Sequence, residues 1–137
     1  MKTDQLADQL IELYDKIASW EHSVVRGTDL TPGQMHTIEI LGHHPDLRMK
    51  ELAERLGITT GSLTVSVDKL EEKGLVSRVP HESDRRSLRV VLTPEGEVMF
   101  TKHHQFHIEL TREIFQEFSA DERTSFSKHL GKLLSRM

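Results

Sequence analysis

Nine histidines in a chain of 137 residues raise the first chemical question, because neutral imidazole is the commonest side-chain metal ligand. His103 and His107 stand four residues apart. On a helix that spacing puts both rings on one face with Cβ atoms about 5–6 Å apart. Two such rings can grip one ion at Zn–N distances of about 2.0–2.1 Å. A lone pair of this kind also arises by chance in a His-rich chain, and most such pairs are simply solvated. No His-Glu-x-x-His run is present, so the pair does not read as a zinc protease motif. Cysteine is absent, which excludes a thiolate nucleophile, a disulfide framework and a Cys-based zinc finger. No Gly-rich phosphate loop or oxyanion motif accompanies the histidines, and the chain is expected not to be an enzyme.

The second chemistry is that of phosphate and base contacts. The chain carries a net charge of -4, so it is not a generally basic nucleic-acid binder, and any such contact must come from a local patch. Residues 48–89 hold nine Lys or Arg against seven Asp or Glu, a net +2, while the remainder of the chain holds nine against fifteen, a net -6. Arg78, Arg85, Arg86 and Arg89 crowd a short β-rich stretch. Arginine at the tip of a hairpin suits the narrow minor groove, where the potential is more negative. Just upstream runs Thr-Thr-Gly-Ser-Leu-Thr from Thr59. Short hydroxyl side chains and a glycine let a helix start approach phosphates and base edges closely. Thr60, Ser62, Thr64 and Lys69 are the candidate contacts there. The competing view is a solvated, salt-bridge-laced surface, to which a modest +2 is no objection.

These residues need elements to hold them. Leu6, Leu10, Leu13, Ile17, Trp20 and Val24 recur at steps of three and four, which predicts one long helix over 4–26 with an apolar stripe. Ile11, Tyr14 and Ala18 widen that stripe beyond what a small core can cover. Thr31-Pro32 reads as a cap and first helical residue of a second helix from Pro32 to Leu41, ended by Gly42. Residues 48–56 form a third helix closed by Gly57, and Thr59 caps a fourth from Thr60 to Lys73, with Leu63, Val67 and Leu70 inward. Helix, Gly-containing turn and helix make the helix-turn-helix signature. Leu75–Pro80 and Leu88–Leu92 then read as strands joined by a polar HESDRRS turn, a wing. Thr93-Pro94-Glu95 starts a fifth helix running to about Phe118, with Met99, His103, His107, Leu110 and Ile114 on one face. Ser119 with Glu122 is a capping box for a last helix over 120–135. The expected fold is mainly α with a small β wing, in the order α-α-α-α-β-β-α-α. No apolar run reaches the roughly 18 residues that cross a bilayer, and the polar N-terminus predicts no secretory leader, so the expected location is the cytoplasm.

The stretch GITTGSLTVSVDKLEEKGLVSRVPHESDRRSLRVVLTPEG resembles the winged helix of MarR-type transcriptional regulators. The elements LEEKGLV, Asp84-x-Arg86 and LTPEG carry the resemblance, and the helix order extends it over nearly the whole chain. The resemblance implies a homodimer. Residues 1–29 and 94–137 would form its helical dimerisation region, and residues 30–93 its winged helix-turn-helix DNA-binding domain. The partner would be double-stranded DNA with a pseudo-palindromic operator, and two recognition helices would lie about one DNA turn, roughly 34 Å, apart. It further implies that Arg86 enters the minor groove with Asp84 orienting it, and Arg85 stands beside them as a candidate. The chain departs from the family at Val65, where many members carry a basic residue.

A zinc-responsive (AdcR/ZitR-like) branch of that family implies a metal site. His103 and His107 match its two ligands on the fifth helix, His36 in TPGQMH matches the ligand on the second, and Glu21 in ASWEH matches a glutamate on the first. Three imidazoles and a carboxylate make a sound Zn²⁺ set, one per subunit, with zinc as co-repressor of metal-uptake genes. A second site known in that branch uses a Cys, which this chain lacks, so that site is expected to be missing or rebuilt. His22, His43, His44 and His104 are expected to be surface residues. The alternative is an ordinary MarR-type repressor released from DNA by a small aromatic ligand, without metal.

Overall fold

The structure is a computed structural model that describes residues 2–137, with Arg85 described by its backbone alone. Its elements are α1 (Thr3–Val25), α2 (Pro32–His43), α3 (Met49–Leu56), α4 (Thr60–Glu72), β1 (Val76–His81), β2 (Asp84–Leu92), α5 (Pro94–Ile114) and α6 (Ala120–Leu134). The expected order is therefore the observed one. The chain divides into two compact units, Met1–His103 and His104–Met137, with the boundary inside α5.

Local hydrogen bonds explain most of the helix starts. Thr31 accepts from the Gln34 amide while the Gln34 side chain accepts from the Thr31 amide, and Pro32 opens α2. Thr59 accepts from the Ser62 amide at 3.1 Å to start α4. Thr93 Oγ1 accepts from the Gly96 amide and donates to the Gly74 carbonyl, so the α5 cap also ties down the end of the α4 turn. Gly57 and Gly74 close α3 and α4 with positive φ, 67° and 74°, where a Cβ would be strained.

The core of the first unit is built from Val25, Leu30, Met35, Ile38, Leu41, Leu52, Leu63, Val67, Leu70, Leu75, Val76 and Val90, all buried. It joins α2, α3, α4 and the base of the wing, so the helix-turn-helix pair is held rigidly from behind. The apolar stripe of α1 behaves otherwise: Leu6, Leu10, Leu13, Tyr14 and Ile17 are exposed within the single chain. In the second unit Phe115, Phe118 and Phe126 form an edge-to-face cluster with centroids 4.8–6.1 Å apart, while Leu130, Leu133 and Leu134 remain exposed.

Beyond one-residue offsets, three boundaries differ from expectation. α2 does not stop at Gly42 but continues to His43, because that glycine makes room for a neighbour: a Cβ there would overlap the Phe100 ring. α5 ends at Ile114 rather than near Phe118. The chain turns so that Phe115 and Phe118 fold over Phe126, and Arg123 Nη2 donates to the freed Phe115 carbonyl at 3.2 Å. The wing is also longer than expected. β1 and β2 pair antiparallel from Val76↔Leu92 to His81↔Asp84, with a register shift after Pro80, so most of the polar HESDRRS segment is strand. An exposed hairpin tip has no apolar face, so alternation could not reveal it.

Candidate nucleic-acid interface and histidine pair

On α4, Thr60, Ser62, Thr64, Val65 and Lys69 are exposed, while Leu63, Val67 and Leu70 face the core. The hydroxyls are held locally. Thr64 Oγ1 donates to the Thr60 carbonyl at 2.9 Å, and Ser62 Oγ accepts from Thr59 Oγ1 at 3.1 Å. Each keeps oxygen lone pairs open to a donor on a base edge. Val65 is 54% exposed, an aliphatic side chain among hydroxyls.

The wing arginines divide into two kinds. Arg78 reaches back to α4, with Nη2 2.5 Å from Asp68 Oδ1 and 3.1 Å from the Thr64 carbonyl, and Nη1 2.9 Å from Glu71 Oε2. Arg89 pairs with Asp46 at 2.8 Å. Both therefore brace the wing and have acidic partners inside the protein. Arg86 is different, with a side chain 94% exposed. Its amide donates to Asp84 Oδ1 at 3.0 Å, and the same oxygen lies 3.6 Å from its Nε. Asp84 thus holds the base of an extended, solvent-facing guanidinium. The Arg85 side chain lies outside the described residues. Sequence reasoning grouped four arginines by proximity, and it could not see that two of them have partners 7 to 43 positions away.

Of the proposed metal ligands, Glu21 and His103 meet across 82 positions of chain: Glu21 Oε2 lies 3.0 Å from His103 Nε2. His103 is 3% exposed, so the carboxylate and the ring face one another with little water between them. His107 follows one turn later on α5. An imidazole and a carboxylate in contact, with a second imidazole at i+4, suit a borderline divalent ion such as Zn²⁺. In the absence of such an ion, the ring proton of His103 can sit between the two groups.

His36 does not join them. It is exposed near the start of α2, where it lines a recess with Leu56, Ile58, Ser62 and Lys69, and it belongs to no ligand group among the described residues. The error is axial. His36 and His43 share a helix face, but seven residues separate them, roughly 10 Å along the axis at 1.5 Å per residue. What α2 places near α5 instead is the Glu39–His43 pair, 3.4 Å apart at i, i+4, with the His43 ring packed edge-on against Phe100. Glu39 Oε1 is buried and accepts no hydrogen bond among the described residues. Glu39 was missed in the sequence, although its spacing to His43 equals that of His103 to His107.

The MarR family model matches residues 30–88, which span α2 through the first half of β2. The chain is 31% identical to the HTH-type transcriptional repressor MdtR of Bacillus subtilis (strain 168) over 102 residues, covering 69% of this chain and 66% of MdtR. It is 30% identical to the HTH-type transcriptional repressor YetL of the same organism, covering 81% of this chain and 68% of YetL. The crystal structure of Streptococcus pneumoniae FabT in complex with DNA superposes with a TM-score of 0.83 at 28% identity, covering 98% of this chain and 96% of that one. The chain belongs to the MarR family of winged-helix transcriptional regulators. No helix of the described residues is long and apolar enough to cross a membrane.

Proposed function

We propose that this protein is a DNA-binding repressor that acts as a homodimer on a pseudo-palindromic operator, with Zn²⁺ as co-repressor held at one site per subunit by Glu21, His103 and His107. The observation that carries the DNA reading is the solvent-facing row Thr60, Ser62, Thr64 and Lys69 on α4 together with the exposed Arg86 of the wing. A recognition helix enters the major groove, while a wing arginine reaches the adjacent minor groove. The exposed apolar stripe of α1 and the exposed Leu130, Leu133 and Leu134 of α6 support the dimer, since residues 1–29 and 94–137 then cover each other across a two-fold axis. Such a regulator works in the cytoplasm, where its operator is.

The metal reading is supported by the contact between the buried His103 and the half-buried Glu21. A bound divalent ion supplies a fixed positive centre between donors on α1 and α5. Glu21 contributes the negative charge and His103 a ring nitrogen screened from water, and His107 adds a second ring from the next turn. Ligand protons compete with the ion, so its binding weakens as pH falls. If the ion favours the operator-binding conformation, linkage requires that operator DNA tighten ion binding by the same factor.

Elemental analysis of dialysed, untagged protein is expected to find one zinc per subunit, lost in His107→Ala. Gel shifts with and without chelator are expected to show tighter operator binding with zinc. Equal affinity in both would remove the co-repressor role and leave release by a small aromatic ligand as the mode of control.

A further inference from the structure

The recess that receives His36 has no role in the reading above. It holds about 400 Å³ and opens between the start of α2, the end of α3 and α4. Its charge pattern is simple. α2 contributes His36; α3 and the turn after it contribute the apolar Leu56 and Ile58; α4 contributes Ser62, Ser66 and Lys69. Among the described residues Lys69 is the one Lys or Arg that lines the recess with His36, and no acidic group does. Both Lys69 and His36 are exposed. Gly33 leaves its side of the mouth open, because a Cβ there would meet only Thr31 Oγ1 at 4.0 Å.

A recess lined by an ammonium, an imidazole, the hydroxyls of Thr31, Thr37, Ser62 and Ser66, the Gln34 amide and aliphatic side chains, with no carboxylate among the described residues, fits a singly charged anion that presents several acceptor oxygens. Its α4 wall includes Ser62 and Lys69, both on the exposed face of the recognition helix, so the anion in reach during operator binding is a backbone phosphodiester. We infer that His36 and Lys69 together seat one DNA phosphate per subunit, fixing the register of α4 without reading a base. This rests on the DNA-binding reading, but not on the metal site.

Phosphate contacts are sequence-independent and release counterions, which steepens the slope of log affinity against log salt by about 0.9 for each phosphate neutralised. The probe is a duplex selected by the wild-type protein from a random-sequence pool, compared with a scrambled duplex, both in the presence of chelator. Lys69→Ala is expected to weaken both duplexes by the same factor and to lower the slope by about one per subunit, with Lys69→Arg restoring it. His36→Ala is expected to weaken both duplexes by a common factor with a smaller change in slope, because it removes a ring donor to the same phosphate while Lys69 still neutralises it. His36→Lys should restore binding to both duplexes.

Both residues are exposed, so the variants are expected to fold, which circular dichroism checks. The inference is overturned if His36→Ala leaves the affinity for both duplexes unchanged, or if either alanine variant weakens only the selected duplex. If the wild type enriches no duplex at all, the DNA-binding reading itself fails, which is a different result.

Discussion

Arg78 and Arg86 sit on the same hairpin, carry the same charge and should fail in opposite ways. Arg78 is 20% exposed, and its partners Asp68 and Glu71 are 55% and 34% exposed. A solvent-exposed ion pair contributes about 0–1 kcal/mol, and a charged donor to the Thr64 carbonyl about 1.5–3 before solvent screening. Removing Arg78 frees Asp68 to hydrate, while Glu71 still accepts from the Arg78 backbone amide at 3.0 Å. Neither acid is left buried without a partner, so Arg78→Ala should cost about 2 kcal/mol of stability. The Arg86 side chain has one ion pair among the described residues, at 3.6 Å, and is 94% exposed, so Arg86→Ala, which keeps the amide bond to Asp84, should change stability by less than about 0.5 kcal/mol. Urea unfolding at fixed protein concentration, followed through the single tryptophan, Trp20, measures the first quantity. Fluorescence anisotropy with operator DNA over a salt series measures the second. Arg86→Ala should lower operator affinity and the salt slope, while Arg78→Ala should leave the slope intact wherever the protein is folded. A stable Arg78→Ala whose salt slope drops by one would refute the reasoning, because Arg78 would then spend its charge on DNA.

Gly42→Ala should destabilise by about 1–3 kcal/mol in thermal or urea unfolding, since the added methyl must displace Phe100 and overpacking outweighs the gain in helix propensity. Replacing Leu10 and Ile17 together with lysine should dissociate the dimer in sedimentation experiments, because both lie on the exposed stripe of α1. The Glu122 carboxyl is held below the ordinary carboxylate range, first by the Ser119 backbone amide and then by its hydroxyl. A depressed carboxylate stabilises above its unfolded value and loses that contribution as pH falls through its folded value. Acid should therefore loosen the start of α6 in the wild type but not in Glu122→Gln, which keeps an acceptor at every pH; carbon-detected NMR titration and helix signals test this. Val65→Ala should reduce discrimination between thymine and uracil at one operator position, as an exposed aliphatic side chain on a recognition helix meets the thymine methyl. Equal response to both bases in wild type and variant would remove that role.

The amino-acid sequence by itself determined what acts over three or four residues. Thr31-Pro32, Thr59, Thr93-Pro94 and Ser119 with Glu122 start the helices they were expected to start, because a cap is an i to i+3 hydrogen bond written in local residue types. The buried stripe Leu63, Val67 and Leu70 of α4 followed from helical period alone. Tertiary structure decided everything that depends on which segments meet. It put Gly42 inside a helix because of a ring 58 positions away. It separated the bracing Arg78 and Arg89 from the exposed Arg86. It joined Glu21 to His103 and left His36 two turns from His43, at the other end of α2. Periodicity gives the direction a side chain leaves its helix, but position along the axis against a neighbour is set by packing, and ligand convergence needs both.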